Sequence, residues 1–266
     1  MQYIDCKKYA QEILDAVKTI PNKKKLVILT VGNNAASQSY VKGKIKDCEY
    51  CGIPYEHIKI ENSPDAGHEL NVAIHNANHD DSVSGIIVQL PLPDGLNEEQ
   101  YTNNVYGVKD VDGFRADSPF KPCTPEGIMY ILKKELGDLT GKDALVIGRG
   151  KLVGEPIAKM LLDADCTVTV AHSKTDDLNG ELQNAEIVIS AVGKPSTVDL
   201  TWCWNAEVVI DVGVNRDENG KLCGDCYRFQ RDLYALPKVT PVPNGIGLMT
   251  RAMLMAHVAR LDINKL

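Results

Sequence analysis

The sequence predicts an α/β protein of two domains built on parallel sheets, and three observations carry that expectation. Short continuous apolar runs of strand length alternate with segments of helical periodicity, as in sheets covered on both faces. LVILTVG (26–32), SGIIVQL (84–90), DALVIG (143–148), AEIVISAVG (185–193) and AEVVIDVG (206–213) are such runs. A chain of 266 residues is long enough for two small cores. ALVIGRGKLVGEP (144–156) reads as strand, glycine turn and helix, the opening of a Rossmann-type, doubly wound sheet. The expected arrangement is an N-terminal α/β domain over 1–121 and a dinucleotide-binding domain over 122–248. A last helical segment, 249–266, is expected to pack back on the first domain, with a cleft between the two.

Taken in order, residues 5–18 place Tyr9, Ile13 and Val17 at four-residue spacing behind a cap at Asp5, an amphipathic helix. After the strand at 26–32, a helix over 36–51 closes at Gly52. PYEHIKI (54–60) alternates as a strand and 66–78 reads as a helix. PLPDGLN (91–97) breaks the pattern and leaves Gln89 at the carboxyl edge of the sheet, where open α/β folds keep their sites. A short helix over 97–104 leads into KDVDGF (109–114), and Thr124 and Pro125 suit the N-cap and N1 of the next helix. CTVTVA (166–171) is a further strand, 214–226 a Gly/Asn hairpin excursion, and 249–261 the last helix.

Bulk properties exclude several classes of partner. The formal net charge is -7, with 24% charged residues, so no basic field invites nucleic acid or an anionic membrane. No apolar run approaches the roughly 18–20 residues of a membrane span, and the N-terminus lacks a secretory apolar core, so a cytoplasmic protein is expected. Eight dispersed cysteines favour reduced thiols over a disulfide framework. The pairs Cys48/Cys51 and Cys223/Cys226, and His75/His79 at i, i+4, have metal-compatible spacing, but nothing joins them, and no metal is expected.

The glycine turn points to a dinucleotide, because backbone N–H groups and a helix N-terminus there approach a pyrophosphate that a Cβ would hold away. Its spacing, G-x-G-x-x-x-G through Gly148, Gly150 and Gly154, is one residue longer than the common fingerprint, and a tight structural connection is the plain alternative. The next strand ends Ala171, His172, Ser173, Lys174, without the carboxylate that selects the free ribose hydroxyl of NAD. Arg149 and Lys174 with the Ser173 hydroxyl suit a 2′-phosphate, so NADP is expected in preference to NAD. Ordinary solvated surface charges are the alternative for both cations.

Chemistry is expected from the first domain. Tyr40 and Lys44 stand four apart on one helix face, a pattern that a solvated helix surface also produces. Gln89, Asp110 and Asp112 should share the carboxyl edge of the sheet. A lysine buried there and held by an amide would trade protons near neutral pH.

Seven segments now stand in a telling order: ASQSYVKGK (36–44), GIIVQLPLP (85–93), KDVDGF (109–114), PCTPEGI (122–128), GRGKLVGEP (148–156), VTVAHSKT (168–175) and TPVPNGIGLMT (240–250). In that order they resemble the bifunctional methylenetetrahydrofolate dehydrogenase/methenyltetrahydrofolate cyclohydrolase family across almost the whole chain. The resemblance implies oxidation of 5,10-methylenetetrahydrofolate by hydride transfer to NADP, then hydrolysis to 10-formyltetrahydrofolate, a step of one-carbon metabolism. Lys44 would be the catalytic lysine, Gln89 its orienting amide, Tyr40 the ring stacked on the aminobenzoate, and Asp112 the acceptor for the pterin. Leu90, Pro91, Pro243, Gly245 and Gly247 would complete the tetrahydrofolate site. Gly148, Arg149, Gly150, Val153, Gly154, His172, Ser173, Lys174, Val192, Gly193, Asp211 and Gly213 would hold NADP. Homodimers joined through their cofactor domains are typical of the family.

Three departures bear on these expectations. Gly150 stands where the family usually has serine, Asn244 and Leu248 replace a glycine and a proline of PVPGGVGPMT, and the stretch from Phe114 to Pro122 is short. An enzyme with one of the two activities and a non-catalytic folate- or NADP-binding regulator are the alternatives; intact Tyr40, Lys44, Gln89 and Asp112 favour catalysis. A shikimate-type dehydrogenase shares the domain pattern but leaves VQLPLP and DVDG unexplained.

Overall fold

In chain order the elements are β1 (Gln2–Tyr3), α1 (Cys6–Thr19), β2 (Lys25–Val31), α2 (Ala35–Cys51), β3 (Tyr55–Ile60), α3 (Ala66–His79), β4 (Val83–Val88) and α4 (Glu98–Asn103). There follow α5 (Cys123–Leu136), β5 (Asp143–Ile147), α6 (Gly154–Leu162), β6 (Thr167–Ala171), α7 (Leu178–Asn184), β7 (Ile187–Ser190) and β8 (Val198–Asp199). The remainder are β9 (Val208–Asp211), β10 (Asn215–Arg216), β11 (Leu222–Cys223), β12 (Cys226–Tyr227), β13 (Lys238–Val239) and α8 (Ile246–Val258). These come from a computed structural model that describes residues 2–227 and 237–266. The chain divides into two compact units, one of residues 11–123 with 251–266, the other of 1–10 with 124–250.

The unit of residues 11–123 holds a three-stranded parallel sheet in the order β3-β2-β4. All six residues of β4 are buried, which is why its sequence reads as a continuous apolar run rather than an alternation. Leu70, Ile74 and Ala77 of α3, spaced four and three apart, pack with Val27, Leu29, Ile86 and Val88 of one sheet face. Leu26 and Ile28, pointing to the other face, are fully buried as well.

The second unit holds a six-stranded parallel sheet in the order β1-β13-β9-β7-β5-β6, the doubly wound arrangement. Leu145, Ile147, Val188 and Val209 of its strands pack with Leu182 of α7 and with Val198 and Leu200. β6 is the outer strand, and its Thr167, Thr169 and Val170 remain exposed.

Three details depart from the sequence-based expectation. Residues 1–10 fall with the second unit rather than within a 1–121 domain, because β1 pairs with β13, Gln2 beside Lys238 and Tyr3 beside Val239. A two-residue strand has no periodicity to read. α5 begins at Cys123, so Thr124 and Pro125 lie inside its first turn rather than at cap and N1. α8 spans 246–258 rather than 249–261, which makes Leu248 its third residue; the proline missing there is not an N1 residue. The cap at Asp5 is present, with Oδ1 accepting from the Lys8 N–H at 3.0 Å.

Candidate active site

In the unit of residues 11–123, α2 carries Ser37, Tyr40, Lys44 and Asp47 at spacings of three, four and three, a single stripe along the helix. Asn34 starts the helix, its Oδ1 accepting from the Ser37 N–H at 3.1 Å. Tyr40 is 39% exposed, whereas Lys44 is buried at 7%. A buried ammonium or amine needs a partner. The Lys44 Nζ donates to Gln89 Oε1 at 3.1 Å, across 45 residues of sequence.

Gln89 immediately follows β4, and its N–H extends the ladder by donating to Leu29 O at 2.9 Å. Its Nε2 donates to Leu90 O at 2.7 Å, so the amide is held at both ends and presents Oε1 to Lys44. Leu90 precedes Pro91 through a cis peptide, and its carbonyl also accepts from the Ser37 hydroxyl at 3.4 Å. Ser37, 8% exposed, went unremarked in the sequence although helical spacing places it on the Lys44 stripe.

The two aspartates of KDVDGF separate in role. Asp110 is buried, and its carboxylate accepts from the N–H groups of Gly113 (3.2 Å) and Arg115 (2.8 Å), while burial pushes its pKa up. It holds the turn. Asp112 is half-buried, with its carbonyl taken by the Cys123 N–H at 3.2 Å. His257 of α8 fixes the residue between them: its Nδ1 lies 2.8 Å from Val111 O and its ring stacks on Phe120 at 4.6 Å. Arg251, also on α8, runs over Gly43 and pairs with Asp47 at 2.6 and 3.3 Å. Burial raises the Asp47 pKa, and the guanidinium opposes that rise. Neither pair was visible in the sequence, since each joins residues about 150–200 apart with no local signal.

The other unit contains the glycine turn. Gly148 follows β5 at φ +106°, and a Cβ there would sit 2.5 Å from Ala191 O. A Cβ on Gly154, the first residue of α6, would sit 2.3 Å from Gly148 O, so the turn closes only with glycine at both ends. Nothing lies within 4 Å of a Cβ built on Gly150. Val153 precedes the helix, and its carbonyl accepts from Ile157 N at 2.9 Å. Arg149, Gly150, Ser173 and Lys174 are exposed. The turn after β6 is fixed by His172, whose Nδ1 accepts from Lys174 N at 3.1 Å and whose N–H donates to Thr175 Oγ1 at 2.9 Å. An open glycine cradle at a helix start, beside a guanidinium, an ammonium and a hydroxyl, fits the pyrophosphate and 2′-phosphate of NADP.

Val192, half-buried, and Gly193, exposed, follow β7, and Gly213 is buried after β9. Asp211, expected among the cofactor ligands, turns its carboxylate inward: it is 4% exposed and accepts from the N–H groups of Gly213, Asp225 and Cys226 at 2.9–3.0 Å. Burial raises its pKa. Pro243 follows a second cis peptide and is exposed, Asn244 adopts φ +72°, Gly245 is buried and Gly247 half-buried, all in this unit. Asparagine thus supplies the left-handed conformation where glycine is expected. Cys48 and Cys51 are buried, with Sγ contacts to Met255 Sδ and Leu14 O, both at 3.6 Å.

Residues 4–112 match the catalytic domain of tetrahydrofolate dehydrogenase/cyclohydrolase, and residues 122–265 match the NAD(P)-binding domain of the same family. The bifunctional protein FolD of Staphylococcus saprophyticus is 42% identical over 261 residues, 94% of this chain and 91% of that protein. Its counterpart in Campylobacter jejuni subsp. doylei is also 42% identical, over 91% of this chain and 88% of that one. The crystal structure of the bifunctional FolD methylenetetrahydrofolate dehydrogenase/cyclohydrolase from Campylobacter jejuni superposes with a TM-score of 0.86, at 37% identity and 98% coverage of both chains. The Trypanosoma brucei enzyme, solved with NADP and an inhibitor, gives 0.88 at 27% identity over 97% of this chain and 96% of that one. With both domain families matched in order and relatives this similar along nearly its whole length, the chain belongs to the tetrahydrofolate dehydrogenase/cyclohydrolase family.

Proposed function

We propose that this chain oxidises 5,10-methylenetetrahydrofolate with NADP and hydrolyses the methenyl product to 10-formyltetrahydrofolate, with Lys44 and Gln89 carrying the hydrolytic step. The buried Lys44–Gln89 contact at 3.1 Å is the observation that supports this best. Folate is assigned to the side of residues 11–123, with Tyr40 stacking on the aminobenzoate, Asp112 accepting from the pterin, and Leu90 and Pro91 lining the site. Pro243, Gly245 and Gly247 are assigned to the same substrate from their own segment. The methenyl carbon is cationic, and a fixed ammonium about 4 Å from it would cost roughly 4 kcal/mol at an effective dielectric of 20. A neutral amine is therefore the useful form. Lys44 takes a proton from the attacking water, and the adduct's C–N5 bond breaks as that proton is delivered to N5. The remaining hydroxyl proton leaves as the formyl carbonyl forms. Gln89, held by Leu90 O, keeps the Lys44 nitrogen aimed.

NADP, when bound, supplies the hydride acceptor. Gly148, Gly150, Val153 and Gly154 would form its phosphate cradle, and Arg149, His172, Ser173 and Lys174 the 2′-phosphate site. Val192, Gly193 and Gly213 would line its other end, with Asp211 acting through the loop it holds. A second copy of this chain is the proposed partner, joined along the exposed outer strand β6, whose Val170 is 42% exposed. No helix among the described residues is long and apolar enough to cross a membrane. Eight free cysteines suit a reducing compartment, and we place the protein in the cytoplasm.

Lys44→Ala tests the assignment: methenyl hydrolysis should fall at least a hundredfold, while NADP affinity stays within twofold. Undiminished hydrolysis in that variant would remove Lys44 from the mechanism.

A further inference from the structure

Asp225 is fully buried, yet it belongs to none of the segments assigned a role above. Its Oδ2 accepts from the Ser190 hydroxyl at 3.0 Å and from the N–H groups of Val192 (3.0 Å) and Gly193 (3.2 Å). Its Oδ1 accepts from Asn215 Nδ2 at 2.8 Å. The Asp225 N–H donates to Asp211 Oδ1 at 2.9 Å, so the second buried aspartate sets the first. Two glycines lock the arrangement reciprocally. A Cβ on Gly213 would fall 2.1 Å from Asp225 Oδ1, and one on Gly224 would fall 1.9 Å from Asp211 Oδ2. Each glycine makes room for the other's carboxylate.

This lock spans the carboxyl ends of two adjacent strands, β7 and β9. Water can satisfy the N–H groups of a loop that only has to turn. A buried carboxylate with four donors fixes instead where those N–H groups point. Because Asp225 consumes the Val192 and Gly193 donors, the loop meets a ligand with its carbonyls and its open side, in one orientation.

We infer that Asp225 is a positioning residue for NADP, acting through the backbone of Val192 and Gly193, with Asp211 setting Asp225 in turn. The inference rests on the placement of NADP against that loop proposed above.

The full-length protein without NADP, and the same protein titrated with it, provide the test, read by amide hydrogen exchange over 190–194 and by calorimetry. In Asp225→Ala the 192 and 193 amides should exchange about tenfold faster in the free protein, and the Kd for NADP should rise about tenfold. Tetrahydrofolate binding should stay within twofold. Asp225→Asn keeps one acceptor oxygen, and Asn215 can reverse its amide to meet the new NH₂; it should fall between wild type and the alanine variant. Should the alanine variant not fold, the asparagine variant decides: NADP affinity weakened threefold or more with tetrahydrofolate unaffected supports the inference, and wild-type NADP affinity overturns it. If NADP protects 190–194 in wild type while both variants bind NADP normally, Asp225 is not a positioning residue. If NADP leaves 190–194 unprotected in wild type, the cofactor placement itself is wrong and the inference falls with it.

Discussion

Gly150 and Gly154 stand in one turn and should answer substitution in opposite ways. A Cβ at Gly154 meets the Gly148 carbonyl at 2.3 Å, so the backbone must shift. Gly154→Ala should cost about 1–3 kcal/mol, lowering Tm by several degrees, and should abolish NADP binding in calorimetry. Gly150 opens onto free space, and Gly150→Ser should leave stability within about 0.5 kcal/mol. If the turn holds phosphate, the added hydroxyl should tighten NADP at least threefold. An unchanged Kd would place the phosphates elsewhere. The glycine-to-serine departure thus bears on affinity, not on the fold of the turn.

Helix α2 carries the stripe of Ser37, Tyr40, Lys44 and Asp47, and Arg251 of α8 pairs with its last member. Arg251→Ala would strand the Asp47 carboxylate, 7% exposed, beside Lys44. Chemical denaturation should show a loss of about 3–5 kcal/mol, and Asp47→Asn added to it should recover part of that loss. The loop between α3 and β4 gives a pH-dependent counterpart. Asp80 accepts from the Ser82 hydroxyl and N–H, then from Lys25, which holds its pKa at about 2 against an ordinary 3.8. The unfolded chain therefore takes up this proton first, so the stabilisation is complete above about pH 4 and is lost as pH falls through about 2. Denaturation midpoints of Asp80→Asn should lack that part of the acid decline. How legible these elements were follows from burial. β2, β4 and β5 declare themselves as apolar runs because both faces are covered, and the Tyr40–Lys44 spacing is readable because a helix repeats. The strands β1, β8, β12 and β13, of two residues each, exist through tertiary pairing alone. The Arg251–Asp47 and Asp225–Gly193 bonds leave no periodic trace for the same reason, whereas Gln89 is legible as the polar end of an apolar strand at the sheet edge, and the family resemblance pairs it with Lys44.

The molecule as a whole combines two units whose sheets end in different chemistry, a lysine–amide pair on one and a glycine cradle on the other. β6 leaves one further surface feature, a β-branched outer strand with Thr167, Thr169 and Val170 exposed. Sedimentation of the wild type should give a dimer, and Val170→Lys should give a folded monomer with unchanged circular dichroism. A monomeric wild type would remove β6 as an interface. Bifunctionality is tested most directly by giving the purified protein 5,10-methylenetetrahydrofolate with NADP or NAD and following methenyl formation, then its decay, in wild type and Lys44→Ala. Methenyl should form with NADP in preference to NAD, decay rapidly to 10-formyltetrahydrofolate in wild type, and persist in the variant. No turnover with either cofactor would overturn the dehydrogenase assignment, and equal decay in both proteins would remove Lys44 from the hydrolysis.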